Sequence, residues 1–480
     1  MNKKRLVRQL ERIVGKGMVI HHPDDLLVYE YDGSIGRGLP AAVVFPASTQ
    51  EVSQVVSLAY REGMPVVPRG AGTGLSGGAL AVEGGIEIVL TRMRTILEVD
   101  VANRVAVVEP GLSNLDLSNA IARFGLYYAP DPSSQKVSTI GGNVAENAGG
   151  PHCLRYGVTT NHVLGIEVVL EDGSVVWLGE RLRGRPGYDL VGAFVGSEGL
   201  MGVVTKVVVR LLPIPEAVRT LLVVFPEIDQ ASVVVSRIIA SGLMPAAMEM
   251  MDALTIQAVE TAMRAGYPQD AGAILLIEMD GLTEEVEEAA QAVEDICRRE
   301  GAREVRVAGE AAERERLWAG RKGALGALGV LAPNYYLMDG VVPRSRLPEV
   351  LRRVGEISSE VGLPIANVFH AGDGNLHPCV LFDERQAGHT SRVREAGGEI
   401  LKACVQAGGA LSGEHGVGLE KKEYMPLLFT SADMEAMLRL KRAFAPRGLF
   451  NPGKVFPGGP SGGEIPQRGA IRRAGTGAWV

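Results

Sequence analysis

Three of the chain's eight histidines fall in two glycine-flanked motifs. VFHAGDGNLHPCV carries His370 and His377, and SGEHGVGLEK carries Glu414 and His415 between Gly413 and Gly416. Asp373-Gly374 is a strong signal for a two-residue hairpin turn. Counting outward from that turn, Gly372 faces Asn375, Ala371 faces Leu376 and His370 faces His377. Directly opposed residues on one sheet face hold their Cβ atoms about 4.5–5.5 Å apart, a separation that suits two ligands of one metal ion. With Glu414 as third ligand, two imidazoles and one carboxylate leave coordination positions open, as in catalytic rather than structural centres. Zinc is the first choice for this donor set; manganese, iron or cobalt are the alternatives. A lone histidine is more often a satisfied core or surface residue, but three in two such motifs argue for a shared site.

The 61 glycines cluster, and the clusters are the second signal. PVVPRGAGTGLSGGA, residues 65–79, contains a literal GxGxxG from Gly72 to Gly77. A Rossmann unit needs a helix directly after that string and an acid about 20 residues on. Here Gly84-Gly85 breaks the short stretch before the strand IEIVL, so no Rossmann helix fits. The Gly-Lys-Ser/Thr ending of a P-loop is missing too. What fits is a nest of backbone N–H groups that can approach a pyrophosphate closely, with Arg69 as an electrostatic aid. Residues 129–163, APDPSSQKVSTIGGNVAENAGGPHCLRYGVTTNHV, are rich in small residues and amides, which let backbone lie against a flat ring while amides bond its edge. VGSEGLMGVVTKV, residues 195–207, repeats the pattern just before a strand.

These motifs need a frame. The chain has 480 residues, too many for one ordinary core, and 46% are hydrophobic and 22% charged, as in globular proteins. AAVVFP, PVVPRG, IEIVL and RVAVVEPG read as strands. STQEVSQVVSLAYREGM reads as a helix with Ser48 and Glu51 as a capping box. VLGIEVVLEDGSVVWLG reads as a hairpin turning at Asp172-Gly173. Beyond Pro213 and Pro215, strand–helix–strand units recur, as in AILLIEMDG, TEEVEEAAQAVEDICRREG and AREVRVAG. Such repeats suggest a ferredoxin-like antiparallel sheet with helices on one face. No apolar run is long enough for a transmembrane helix, and the basic start lacks the apolar core of a secretory signal. The cytoplasm is therefore expected. Cys153, Cys297, Cys379 and Cys404 form no CxxC pair, which excludes an iron–sulfur or structural zinc signature. A net charge of −7 without a basic block excludes nucleic acid as a partner class.

Taken in order, PRGAGTGLSGGA, DPSSQKVSTIGGNVAENAGG and GSEGLMGVVT resemble the FAD-binding domain of the vanillyl-alcohol-oxidase/PCMH-type flavoproteins. With the histidine motifs, Arg321 in LWAGRKGALGALG and the closing FNPGKVFP, the chain resembles their FAD-linked 2-hydroxy acid dehydrogenase branch, which includes the glycolate oxidase flavoprotein subunit and D-lactate dehydrogenases. That resemblance implies an α+β fold: an FAD-binding domain at 1–212, an antiparallel-sheet, ferredoxin-like cap over substrate at 213–409, a C-terminal segment completing the site at 410–456, and a disordered tail at 457–480. It implies non-covalent FAD; some relatives link FAD through His or Cys, and His152 and Cys153, close to the expected ring, are the covalent alternative. Pro68, Arg69, Gly70, Ala71, Gly72, Thr73, Gly74 and Leu75 would cradle the pyrophosphate. Pro130, Asp131, Ser138, Gly141, Gly142, Asn143, Ala145 and Gly149 would line the isoalloxazine and ribityl region. Glu198, Gly199, Gly202 and Val204 would contact the adenosine side, and Asn451 would reach the flavin or the site. In metal-bearing relatives the residues matching His370, His377 and Glu414 bind the cation, and the one matching His415 is the base. Arg321 would hold the substrate carboxylate. Leu325 and Leu337 stand where enzymes for larger dicarboxylates carry threonine and lysine, which points to D-lactate or glycolate, oxidised to the 2-keto acid by hydride transfer to flavin N5. No sequence for a quinone site or nicotinamide accompanies this, so an electron-accepting subunit or protein is expected as partner, with peripheral membrane association through it; a homodimer is a possible assembly. The rival readings are a flavin oxidase of another alcohol class and an FAD-binding subunit with catalysis elsewhere.

Overall fold

The computed structural model describes residues 3–182 and 187–458. The tail expected at 457–480 lies outside the described residues but for its first two positions. The chain divides into two units. Among the described residues, one comprises positions 3–149, 157–214 and 414–458, and the other 150–156 and 215–413.

In the first unit, a small sheet has parallel strands Ala42–Val44, Ile86–Val89 and Val66–Arg69, with Ile86–Val89 in the middle. The helix Thr49–Glu62 connects two of them and buries Val52, Val55, Val56 and Ala59. Ser48 caps it by accepting from Glu51 N. The Glu51 carboxylate accepts from Ala47 N, one residue before the position a capping box would use. A second sheet is antiparallel, in the order Ile96–Asp100, Val105–Val108, Val203–Arg210, Val163–Val169, Val175–Gly179. Its central strand VVTKVVVR is almost wholly buried, which explains the run of β-branched residues. The expected hairpin joins Val169 to Val175 through a five-residue loop, in which Gly173 takes φ +90°.

In the second unit, the described residues form a sheet whose pairings are all antiparallel. Its core order is Glu304–Val307, Ala217–Phe225, Ala273–Gly281, Ala247–Asp252, Ile365–His370. Successive residues of a strand point to opposite faces. In AMEMMD, Met250 meets Ser232 of the helix Ile228–Ala240, while its neighbour Glu249 meets Arg321 of the helix Ala311–Ala327. Helices therefore cover both faces, not the single face that the repeats suggest. The second face carries the buried charges Glu249 and Arg321.

Candidate functional site

A carboxylate in the middle of an apolar sheet is costly unless paired. Glu249 is fully buried and has two partners. His370 is its cross-strand neighbour, with Nδ1 2.9 Å from both carboxylate oxygens. Arg321 lies on the inward stripe Leu317, Gly320, Arg321, Ala324 of its helix, and its Nη2 is 2.5 Å from Glu249 Oε2. At 3% exposure this guanidinium has little hydration to offset its burial, so it depends on the glutamate. A second buried acid, Asp339, lies 3.4 Å from His377 Nε2 and accepts from Ser412 Oγ at 2.6 Å and Gly413 N at 3.0 Å.

The hairpin between the two histidines differs from the expected register. His370 pairs with Asn375, and Asn367 with Pro378, so the turn spans four residues rather than two. The slip is two positions. Because side chains alternate with period two, an even slip keeps every residue on its face. His370 and His377 thus become diagonal neighbours on one face, about 7–8 Å apart at Cβ by general geometry. Their rings still meet edge to face, with centroids 5.0 Å apart and ring nitrogens within 4.8 Å of each other. Both imidazoles are backed by a carboxylate, which is how metal-binding histidines are commonly oriented. The donor set therefore fits a divalent cation. Gly413 ends this unit with its Cα against Asn375, where a Cβ would come 2.5 Å from the amide, and Glu414 is the next residue in the chain.

The glycine segments lie together in the first unit. A Cβ at Gly70 would come 2.3 Å from Thr139 Oγ1, so the first loop and the segment 129–163 meet there without room for a side chain, and one at Gly141 would come 2.6 Å from Pro110. Gly74 faces open space, as a cradle requires. Thr139 caps the short helix Ile140–Glu146, and Asn114 bonds both Pro130 O and Asn143 Oδ1. Ser138 Oγ is buried without a protein hydrogen-bond partner, an atom that a bound polar group would satisfy. These residues fit a dinucleotide cofactor. Arg69 does not reach outward. Its guanidinium fills the space under Gly72, donates to Tyr31 O and pairs with buried Glu87 at 3.3 Å.

Glu198 also turns inward. Its carboxylate accepts from Val417 N at 2.8 Å and Gly418 N at 2.7 Å, which fastens the EHGVG turn carrying His415 to the third glycine segment. Leu419 N bonds Ser76 O in the first glycine loop. Asn451 Nδ2 donates to Glu198 O, and the buried Lys454 donates to Gly78 O at 2.7 Å. Burial pushes the Glu146 and Glu198 carboxyls up and Lys454 down to about 8. Gly202 and Val204 pack on the strand Val163–Val169. The sequence reading named His370, His377, Arg321 and His415 but missed Glu249, Asp339 and Lys454. Acids set among apolar residues in AMEMMD and YLMDGVV were the available signals for Glu249 and Asp339.

Comparisons with known proteins agree. The family model described as "FAD linked oxidases, C-terminal domain" matches residues 214–455, and that described as "FAD binding domain" matches 40–179. The glycolate oxidase subunit GlcD of Escherichia coli (strain K12) is 48% identical over 92% of this chain and 88% of its own length. A D-lactate dehydrogenase of Anaerostipes hadrus is 32% identical over 90% of this chain and 91% of its own. Among solved structures, p-cresol methylhydroxylase with substrate bound shares the fold at a TM-score of 0.79, with 17% identity over 94% of this chain and 96% of its own. The chain is an FAD-binding oxidoreductase and belongs to the FAD-linked oxidase family.

Proposed function

We propose that the protein oxidises a small 2-hydroxy acid, D-lactate or glycolate, to the 2-keto acid. The observation that carries this is the buried group in the second unit: Arg321 and His370 share Glu249, and His370 meets His377, which Asp339 backs. A fixed guanidinium suits a carboxylate, and the paired imidazoles suit a cation that would contact the neighbouring hydroxyl. The family relatives named for glycolate and D-lactate support the same substrate class.

In this reading Arg321 binds the substrate carboxylate, and His370, His377 and Glu414 hold a divalent metal, zinc first. Such a metal supplies Lewis acidity that lowers the hydroxyl pKa. FAD, held non-covalently, supplies the hydride acceptor. His415 takes the hydroxyl proton, an imidazole being suited to that near neutral pH. Glu198 keeps the His415 turn in place. Arg69 supports the pyrophosphate loop from beneath. Reoxidation falls to a partner subunit or electron-transfer protein, and the protein works in the cytoplasm.

Anaerobic addition of D- and L-2-hydroxy acids to the holoprotein should bleach the flavin, with D-lactate or glycolate most effective. Persistent flavin colour across the whole panel would refute the assignment. His415→Ala should keep FAD and lose reduction by substrate; undiminished bleaching would remove His415 from its role.

A further inference from the structure

Glu249 is not alone on its face of the sheet. The register pairs Ala247 with Glu278 and Glu249 with Leu276, so Glu278 lies on the same face, diagonal to Glu249. It too holds a histidine under the same helix. His152 Nε2 is 3.1 Å from Glu278 Oε1, and the His152 ring stacks on Trp318 at 5.6 Å with an interplanar angle of 29°. Trp318 stands three residues before Arg321, on the same helix face. Trp318 Nε1 and Thr220 Oγ1 donate to the other Glu278 oxygen at 2.6 and 2.7 Å. Burial pulls the Glu278 carboxyl up, but the donors, His152 first, outweigh it and hold it below its ordinary value. The sheet face therefore carries two buried carboxylates, each paired with a basic side chain: Glu249, which holds Arg321 and also serves His370, and Glu278, which holds His152. Arg321 is enclosed, whereas the His152 side chain is 20% exposed.

We propose that His152 is a second carboxylate-recognition group for the substrate, acting as a cation alongside Arg321 and selecting acids over their neutral analogues. The proposal rests on the 2-hydroxy acid reading above. A plain structural reading is that His152 only docks the segment 150–156, as Arg155 and Tyr156 do through Asp280. The two readings differ in what they predict for charge discrimination.

The test uses the FAD-loaded protein, D-lactate and D-lactamide, read by anaerobic flavin reduction. His152→Gln keeps a donor toward Glu278 and removes the charge. It should weaken D-lactate about tenfold, the range of one charge-assisted hydrogen bond, and leave D-lactamide unchanged. His152→Lys, which restores a cation, should recover the preference for the acid. Equal losses for acid and amide, no loss for either, or loss of FAD from both variants would overturn the proposal. If D-lactate fails to bleach the wild-type flavin, glycolate and glycolamide replace the pair. If no 2-hydroxy acid bleaches it, the substrate class fails with the proposal; if wild type responds and His152→Gln matches it, only this inference falls.

Discussion

Glu249 shows how far a single buried charge can reach. It neutralises Arg321 and orients His370, so its loss should harm both stability and chemistry. Glu249→Leu leaves a buried guanidinium uncompensated and should destabilise the protein by about 3–5 kcal/mol in urea unfolding. Glu249→Gln keeps volume and hydrogen bonding and should fold, but bleach with substrate at least about tenfold more slowly. Wild-type values for both variants would show that Arg321 and His370 are held otherwise. Glu87 makes a pH prediction. Burial pushes its carboxyl from 4.5 up to about 8, against the pull of Arg69. Between those values the folded protein binds the extra proton, so this stability is complete below the lower value and lost as pH rises through the higher one. In FAD-free protein, the stability of Glu87→Gln relative to wild type should therefore grow from about pH 5 to about pH 9. A constant difference would mean that Glu87 keeps one protonation state throughout.

At the scale of elements, the histidine hairpin separates what sequence can and cannot specify. Alternation fixes which face a side chain takes, and that parity survived a two-position slip. The turn length did not follow from Asp373-Gly374, because Gly372 N bonds Met248 O in a strand far away in sequence. The glycine loops were legible as backbone cradles for the same reason that they resist substitution. Gly72 has φ +72°, and a Cβ there would come 2.2 Å from the Arg69 guanidinium. Gly72→Ala should lower the flavin-to-protein absorbance ratio at least about tenfold after desalting, since both strain and collision act on one loop. Full flavin retention would show that the loop is not the cradle. What sequence hid were Glu249 and Asp339, whose meaning depends on cross-sheet and loop partners more than 70 residues distant.

For the whole molecule, the testable quantity is dependence on a metal. Dialysis of the holoprotein against a strong chelator should suppress substrate bleaching while FAD stays bound, and zinc or manganese should restore it. His377→Ala should lower the metal-to-protein ratio in the same preparations. Full activity after exhaustive chelation would leave the two imidazoles as hydrogen-bonding groups only.

The seven residues from Gly150 to Tyr156 interrupt the first unit's stretch of chain yet fold with the second. His152, Arg155 and Tyr156 satisfy Glu278 and Asp280 from there. Expressing residues 215–413 alone would strip Glu278 of His152 and Asp280 of Arg155 and Tyr156, while Glu278 would keep Thr220 and Trp318. Such a fragment should be insoluble or expanded, and a linked 150–156 peptide should rescue it. The second unit is therefore not one continuous stretch of chain, and excising 215–413 leaves seven of its residues behind.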